Sequence, residues 1–210
     1  MKTLLLLSGG LDSSILLYYL MEDAGQEVTA ISFNYGQRHS KEISCARWFA
    51  EDVGISHIIV DLPRLGGSAL TEPAVITNVH QSEKIPHGHY EDACMKATIV
   101  PGRNMIMLGY AANIAIANKM DAIAIANHAG DHAIYPDCRE DFIRSMRSVL
   151  SPLEVLSPFC TFSKKEIVNI GWELEVPFGM TWTCYEGGKR PCGKCGACVE
   201  REEALPSCSW

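Results

Sequence analysis

The chain has 210 residues, 47% apolar and 20% charged, the balance of a water-soluble globular protein with one core and an appendage. Its formal charge of -7 repels a phosphodiester backbone and no basic patch offsets it, so direct nucleic-acid binding is set aside and a small-molecule partner is expected. The opening Leu4 to Leu7 run is cut by Ser8-Gly9-Gly10, too early for a leader or a bilayer span. A cytoplasmic protein without membrane contact is therefore expected, whose nine cysteines serve as metal ligands or free thiols in a reducing compartment.

In chain order, Thr3 to Leu7 reads as a buried strand, followed by a Gly-rich turn and an amphipathic helix from Asp12 to Asp23. Val28 to Asn34 reads as a second strand, Ser40 to Val53 as a helix and His57 to Asp61 as a third strand. Leu62 to Val100 has weak periodicity, several Gly and Pro, and histidines at 80, 87 and 89, the pattern of a lid. Arg103 to Lys119 reads as a helix and Asp121 to Asn127 as a strand; Ser163 and Glu166 form a capping box before a helix over Lys164 to Glu173. This alternation predicts an α/β protein, a doubly wound, mostly parallel sheet with ligands at the carboxyl ends of its strands. Cys, Gly and Lys dominate from Cys184 onward, so the chain is divided into a main domain, 1–180, and a tail, 181–210.

Ser8-Gly9-Gly10-Leu11-Asp12-Ser13-Ser14 between strand and helix predicts an anion site. The glycines allow close backbone approach, Ser8, Ser13 and Ser14 add hydroxyls, and the helix start brings unpaired amides and a positive dipole end. A Walker loop would need Gly-Lys-Ser/Thr, and there is no lysine here. Asp12 beside a phosphate requires a bridging magnesium ion. The alternative is a plain strand-to-helix turn capped by Asp12 or Ser13. The heptad resembles the SGG-x-DS loop of the PP-loop ATP pyrophosphatases, which implies cleavage of ATP to AMP and pyrophosphate.

Cys184, Cys192, Cys195 and Cys198 follow a Cys-x7-Cys-x2-Cys-x2-Cys spacing with Gly193 and Gly196 at the turns. Four thiolates that close together suit a closed, structural zinc site, with an iron–sulfur cluster or reduced thiols as alternatives. Cys45, Cys94, Cys138, Cys160 and Cys208 lack ligand spacing and read as core or surface thiols.

Tyr35-Gly36-Gln37-Arg38-His39, Val100-Pro101-Gly102-Arg103-Asn104, Tyr135-Pro136-Asp137-Cys138-Arg139, Ser163-Lys164-Lys165-Glu166-Ile167 and Thr181-Trp182-Thr183-Cys184-Tyr185 occur in that order. With the loop and the cysteines, from about residue 3 to residue 205, they resemble the 7-cyano-7-deazaguanine synthase family. The resemblance implies an ATP-dependent C–N ligase that uses ATP, Mg2+ and Zn2+. It would convert 7-carboxy-7-deazaguanine and ammonia to the nitrile through an adenylated carboxylate and then an adenylated amide, and would act as a homodimer. Arg38, Arg103 and Lys164 are the candidate cations for charge building on the leaving group, with Asp12 and His39 beside them and His128 ranked below His39. The loop residues Ser8 to Ser14 and Gly102 are expected to bind the nucleotide. Asp131, Asp137 and Arg139 are expected to grip the substrate, with Tyr135 stacking on its ring; Asp137 could instead cap the following helix. Two alternatives remain open: a relative that stops at 7-amido-7-deazaguanine or passes the activated base to another amine, and a non-catalytic nucleotide-binding scaffold.

Overall fold

The computed structural model describes residues 1–38, 41–71 and 84–205. Five parallel strands, β1 (Lys2–Leu6), β2 (Glu27–Asn34), β3 (His57–Asp61), β4 (Ala122–Ala124) and β5 (Glu154–Leu156), form one sheet in the order β3-β2-β1-β4-β5. Central β1 pairs Leu5 with Ala30 on one side and with Ala124 on the other. The α-helices are α1 (Leu11–Tyr18), α2 (Lys41–Asp52), α3 (Arg103–Ala117), α4 (Glu140–Leu150), α5 (Lys164–Glu173) and α6 (Gly196–Ala204).

Strand alternation divides the core between the two sheet faces. Leu4 and Leu6 join Ile31, Phe33, Ile123 and Val155 against Leu108 and Ala112 of α3 and Ile143 and Met146 of α4. Leu5 and Leu7 join Ala30 and Ala124 on the opposite face, against Ile15 and Leu16 of α1, Phe49 of α2 and Ile167 and Val168 of α5. Because both faces of the strand are covered, Leu4 to Leu7 run apolar without a polar alternate. Each such leucine contributes on the order of 2 kcal/mol of burial. The cysteine-bearing segment is part of the same packing: Trp182, Cys184, Cys195 and Cys198 lie in the cluster that contains Leu4 and Ile123.

Three expected elements come out differently. The helix expected to Asp23 is α-helical only to Tyr18, and Tyr19–Asp23 forms a π-helical turn in which Ala24 N–H bonds the Tyr19 carbonyl. The strand expected over 121–127 keeps its ladder only through Ala124. Beyond it, Asn127 is drawn away, its amide donating to the Cys138 carbonyl at 2.5 Å and its Oδ1 accepting from Ser157 Oγ at 2.5 Å. The long connection after β3 contains a 3-10 helix, Ala93–Thr98, in its described part; His80 lies outside the described residues. No helix among the described residues is long and apolar enough to cross a membrane.

The capping box forms as the spacing predicts. Ser163 Oγ accepts from the Glu166 amide at 3.3 Å while Glu166 Oε2 accepts from the Ser163 amide at 2.8 Å. Replacing the cap with alanine (Ser163→Ala) should lower the free energy of unfolding by about 1 kcal/mol in a urea titration, whereas Lys165→Ala on the exposed side of the same turn should stay within about 0.5 kcal/mol of the wild type.

Candidate active site

β1 ends where Leu7 N–H bonds the Ile31 carbonyl, and the chain then turns through Ser8–Gly10 into α1. Gly9 has φ +83, and a Cβ there would lie 2.1 Å from the Glu42 carbonyl oxygen and 2.5 Å from the Ala46 nitrogen. Only glycine lets the turn rest on α2 in this way. The hydroxyls of Ser8 and Ser13 are 2.9 Å apart, and Ser8 Oγ also accepts from the Gly10 amide at 3.2 Å. No side chain caps α1, so its first amides and positive dipole end are left for an anion.

The turn opens into a cavity of about 240 Å³ at the carboxyl ends of β1, β2 and β4. This is where the strand order reverses, since β2 and β3 lie on one side of β1 and β4 and β5 on the other. Its polar wall is a charge cluster. Lys164 Nζ donates to Asp12 Oδ1 and Oδ2 at 2.8 and 2.7 Å and lies 3.2 Å from Glu200 Oε2. Buried His128 accepts the Gly130 amide at Nδ1 (3.0 Å), which puts the neutral ring's proton on Nε2. That nitrogen faces Asp131 at 3.6 Å, Glu200 at 3.7 Å and Asp12 at 3.9 Å. The other wall carries Leu6, Ile31, Phe33, Met107 and Ile125, with Tyr35, Arg103 and Asn104 at its edge.

For Asp12, Lys164, Glu200 and Arg103 burial works against the charged form, and neighbouring charges offset it to different degrees. Burial raises the Asp12 carboxyl, yet Lys164 and His128 together hold it below its ordinary 3.8. Burial depresses Lys164, yet Asp12 and Glu200 lift it above its ordinary 10.5. Glu200 stays raised because burial outweighs Lys164 and His128. Arg103 ends above its ordinary value because Tyr35, Cys138 and Asp137 outweigh its burial.

The structure brings together Ser8, Gly10, Leu11, Asp12, Ser13, Arg103, Asp131 and Lys164 on the cavity wall. Ser14 is buried in the first turn of α1, with no partner for its hydroxyl among the described residues. Gly102 is the N-cap of α3, with φ 67, and Arg38 is half-buried, its backbone amide bonded to the Leu70 carbonyl; neither lines the cavity. His39 and Cys208 lie outside the described residues. Asp137 is engaged elsewhere: its Oδ2 accepts from the Asn104 amide at 3.0 Å and its carbonyl from the Asn104 side chain, so it caps the start of α3, while Arg139 is the N-cap of the helix that follows. Arg139 Nε donates to the His132 carbonyl. Tyr135 bonds Thr98 and lines a small adjoining cavity with Tyr185, Asp131 and Glu200.

Several cavity residues were given no role of their own from the sequence. Glu200 and Arg201 arrive on α6, and Arg201, 1% exposed, donates to Thr181 Oγ1 at 2.6 Å and to the Phe178 carbonyl at 2.8 Å; burial pushes its guanidinium down to about 10. Thr183 lines the cavity, and its buried hydroxyl has no partner among the described residues. Its place in the Thr181–Tyr185 segment was the available signal.

The ligand atoms of Cys184, Cys192, Cys195 and Cys198 all lie within 4.8 Å of one another. The Sγ atoms of Cys192 and Cys198 are 3.9 Å apart, close to the edge of about 3.8 Å that four Zn–S bonds of about 2.3 Å impose on a tetrahedron. The amides of Lys194 and Cys195 donate to Cys192 Sγ, and that of Cys192 to Cys184 Sγ, bonds that stabilise thiolates. The set fits one tetrahedral ion and leaves no coordination position open.

A parallel doubly wound sheet whose first strand runs into a lysine-free SGG-x-DS turn defines the PP-loop class of α/β proteins. Within that class the chain belongs to the family described as queuosine biosynthesis protein QueC, whose model matches residues 2–209. The 7-cyano-7-deazaguanine synthase of Hahella chejuensis is 45% identical over 97% of this chain and 88% of its own. That of Archaeoglobus fulgidus is 43% identical over 98% and 86%. Among solved structures, the U34-tRNA thiolase NcsA from Methanococcus maripaludis, determined with its 4Fe-4S cluster, matches with a TM-score of 0.54 at 20% identity, covering 91% of this chain and 60% of that one. NMN synthetase from Francisella tularensis matches with a TM-score of 0.52 at 14% identity, covering 90% and 68%. These two similarities establish the fold alone.

Asp12 contributes stability that is present above pH 3.8 and lost as pH falls through its depressed folded value. Lys164 contributes stability that is present below pH 10.5 and lost as pH rises through its raised value. Lys164→Met should leave Asp12 mainly to the effect of burial and move the acid-unfolding midpoint to higher pH, followed by far-ultraviolet ellipticity; an unshifted midpoint would show that Lys164 does not hold the carboxylate. Cys195→Ser should abolish stoichiometric metal in elemental analysis and reduce soluble yield; a folded, metal-free variant of wild-type stability would refute the structural role.

Proposed function

We propose that the chain is an ATP-dependent ligase that converts 7-carboxy-7-deazaguanine and ammonia to 7-cyano-7-deazaguanine in the cytoplasm. The observation that carries this is the convergence of an uncapped helix start, two loop serines and Lys164 on one cavity, in a chain whose relatives are named for that product. Cations and amide donors gathered there suit the charge that develops on departing pyrophosphate.

The chain's own groups divide the work. The Gly10–Ser13 backbone and the Ser8 and Ser13 hydroxyls receive the phosphates, and Lys164 stands beside them. Arg103, on the far wall, neutralises a second oxyanion. Asp131, whose carboxylate faces the cavity, accepts the paired N–H donors of a guanine-like edge. Asp12, on the phosphate side of the same cavity, supplies an oxygen donor that magnesium takes, and a bound magnesium ion would neutralise phosphate charge. In the first half-reaction the substrate carboxylate attacks the α-phosphorus and pyrophosphate leaves; ammonia then displaces AMP and a proton is released. In the second, the amide oxygen attacks a second ATP, pyrophosphate leaves, and loss of AMP with two protons yields the nitrile.

Product mass and nucleotide stoichiometry test this. With ATP, magnesium, ammonium and 7-carboxy-7-deazaguanine, mass spectrometry should find the nitrile, with about two AMP formed per product as the two adenylations require. One AMP per retained amide would defeat the nitrile, and ATP binding without pyrophosphate release would defeat the ligase in favour of a scaffold.

A further inference from the structure

Lys164 is held by more than its partner in the phosphate loop. An ammonium has three N–H donors, and three carboxylate oxygens surround this one: two from Asp12 at 2.8 and 2.7 Å and Glu200 Oε2 at 3.2 Å. The other oxygen of Glu200 lies 3.7 Å from His128 Nε2, so one carboxylate bridges the lysine of α5 and the histidine that follows β4. Its side chain is only 14% exposed and Lys164's only 13%, which leaves little water to hold either group if the other is removed.

Glu200 also differs from Asp12 in where it is anchored. Asp12 sits in the loop that must accommodate phosphate, and its oxygens are the ones an incoming cation would share. Glu200 sits on α6, outside that loop. No side chain caps α6; its N-cap is Cys195, Cys198 lies in its first turn, and Glu200 follows two residues later. A helix that starts at the cysteine cluster thus presents a second carboxylate to the lysine, from a segment other than the loop.

We propose that Glu200 is a positioning residue for Lys164, keeping its ammonium directed at the phosphate loop when Asp12 is shared with other ligands. The proposal rests on the ligase reading, in which Lys164 meets the departing pyrophosphate, and gives it a component carried by the cysteine-anchored helix.

The test uses full-length, metal-loaded protein and the variants Glu200→Gln, Glu200→Asp, Lys164→Ala and the double variant Lys164→Ala/Glu200→Gln. Glu200→Gln should lower kcat for pyrophosphate release about 10- to 100-fold, the scale of a misplaced catalytic group, with KM for 7-carboxy-7-deazaguanine and metal content unchanged. Glu200→Asp should restore part of the rate. In the Lys164→Ala background the glutamine should cause no further loss, since residues that act through one another are not additive. Independently of turnover, brief acetylation read by mass spectrometry should modify Lys164 several-fold faster in Glu200→Gln than in the wild type, with Lys2 and Lys165 unchanged. A wild-type kcat in Glu200→Gln, additive losses in the double variant, unchanged Lys164 labelling, or labelling raised at every lysine would each overturn the proposal. A wild-type protein that releases no pyrophosphate yet shows the Lys164-specific labelling change would instead sink the ligase reading while keeping the contact between Glu200 and Lys164.

Discussion

The contact between Lys164 and Asp12 joins residues 152 apart in sequence, and the arrangement of the site depends on it. Neither partner tolerates its surroundings alone, because burial works against the charge on each. Together they stay charged, and so they fix the start of α5 against the turn after β1. The capping box at Ser163 fixes the first turn of α5, on which Lys164 stands. Gly9 performs the matching task on the other side, letting the turn lie on α2 where any side chain would collide with backbone. Local geometry at two distant chain segments thus prepares one ion pair at the strand-order reversal, where an open α/β sheet has its crevice.

A second layer of organisation comes from the carboxyl-terminal segment. Its cysteines are packed with the sheet's own apolar cluster, and the helix that starts from them returns to the cavity with Glu200 and Arg201. Starting at Cys195 and Cys198, α6 brings both of these charged side chains to the cavity wall. The buried Arg201, bonded to Thr181 and to the Phe178 carbonyl, ties that helix to the segment leading to the first cysteine.

Much of this was legible from residue order. The strand-turn-helix at the amino terminus, the capping box and the cysteine spacing depend on residues near one another in the chain, and they formed as their local chemistry requires. Elements with weak local signals were harder to see. β5 is three residues long with only Val155 buried, too short to show a period, and α6 is hidden among the cysteines and glycines of the tail. Asp137 shows the opposite difficulty. Its motif suggested a ligand group or a cap for its own helix, and its carboxylate instead accepts the amide of Asn104, from the start of α3.

By itself, the sequence determined the class of fold, the turn between β1 and α1, the grouping of four cysteines and the family, because each is written in spacing along the chain. Tertiary structure alone decided which charges share the cavity. Asp12, His128, Asp131, Lys164 and Glu200 come from four separate segments, which only folding brings within a few ångströms of one another. The same holds for Arg38, Asp137 and Arg139, whose side chains suit a ligand but do not line the cavity. Spacing encodes what a segment can do locally, and the sheet's crossovers select which of those groups meet.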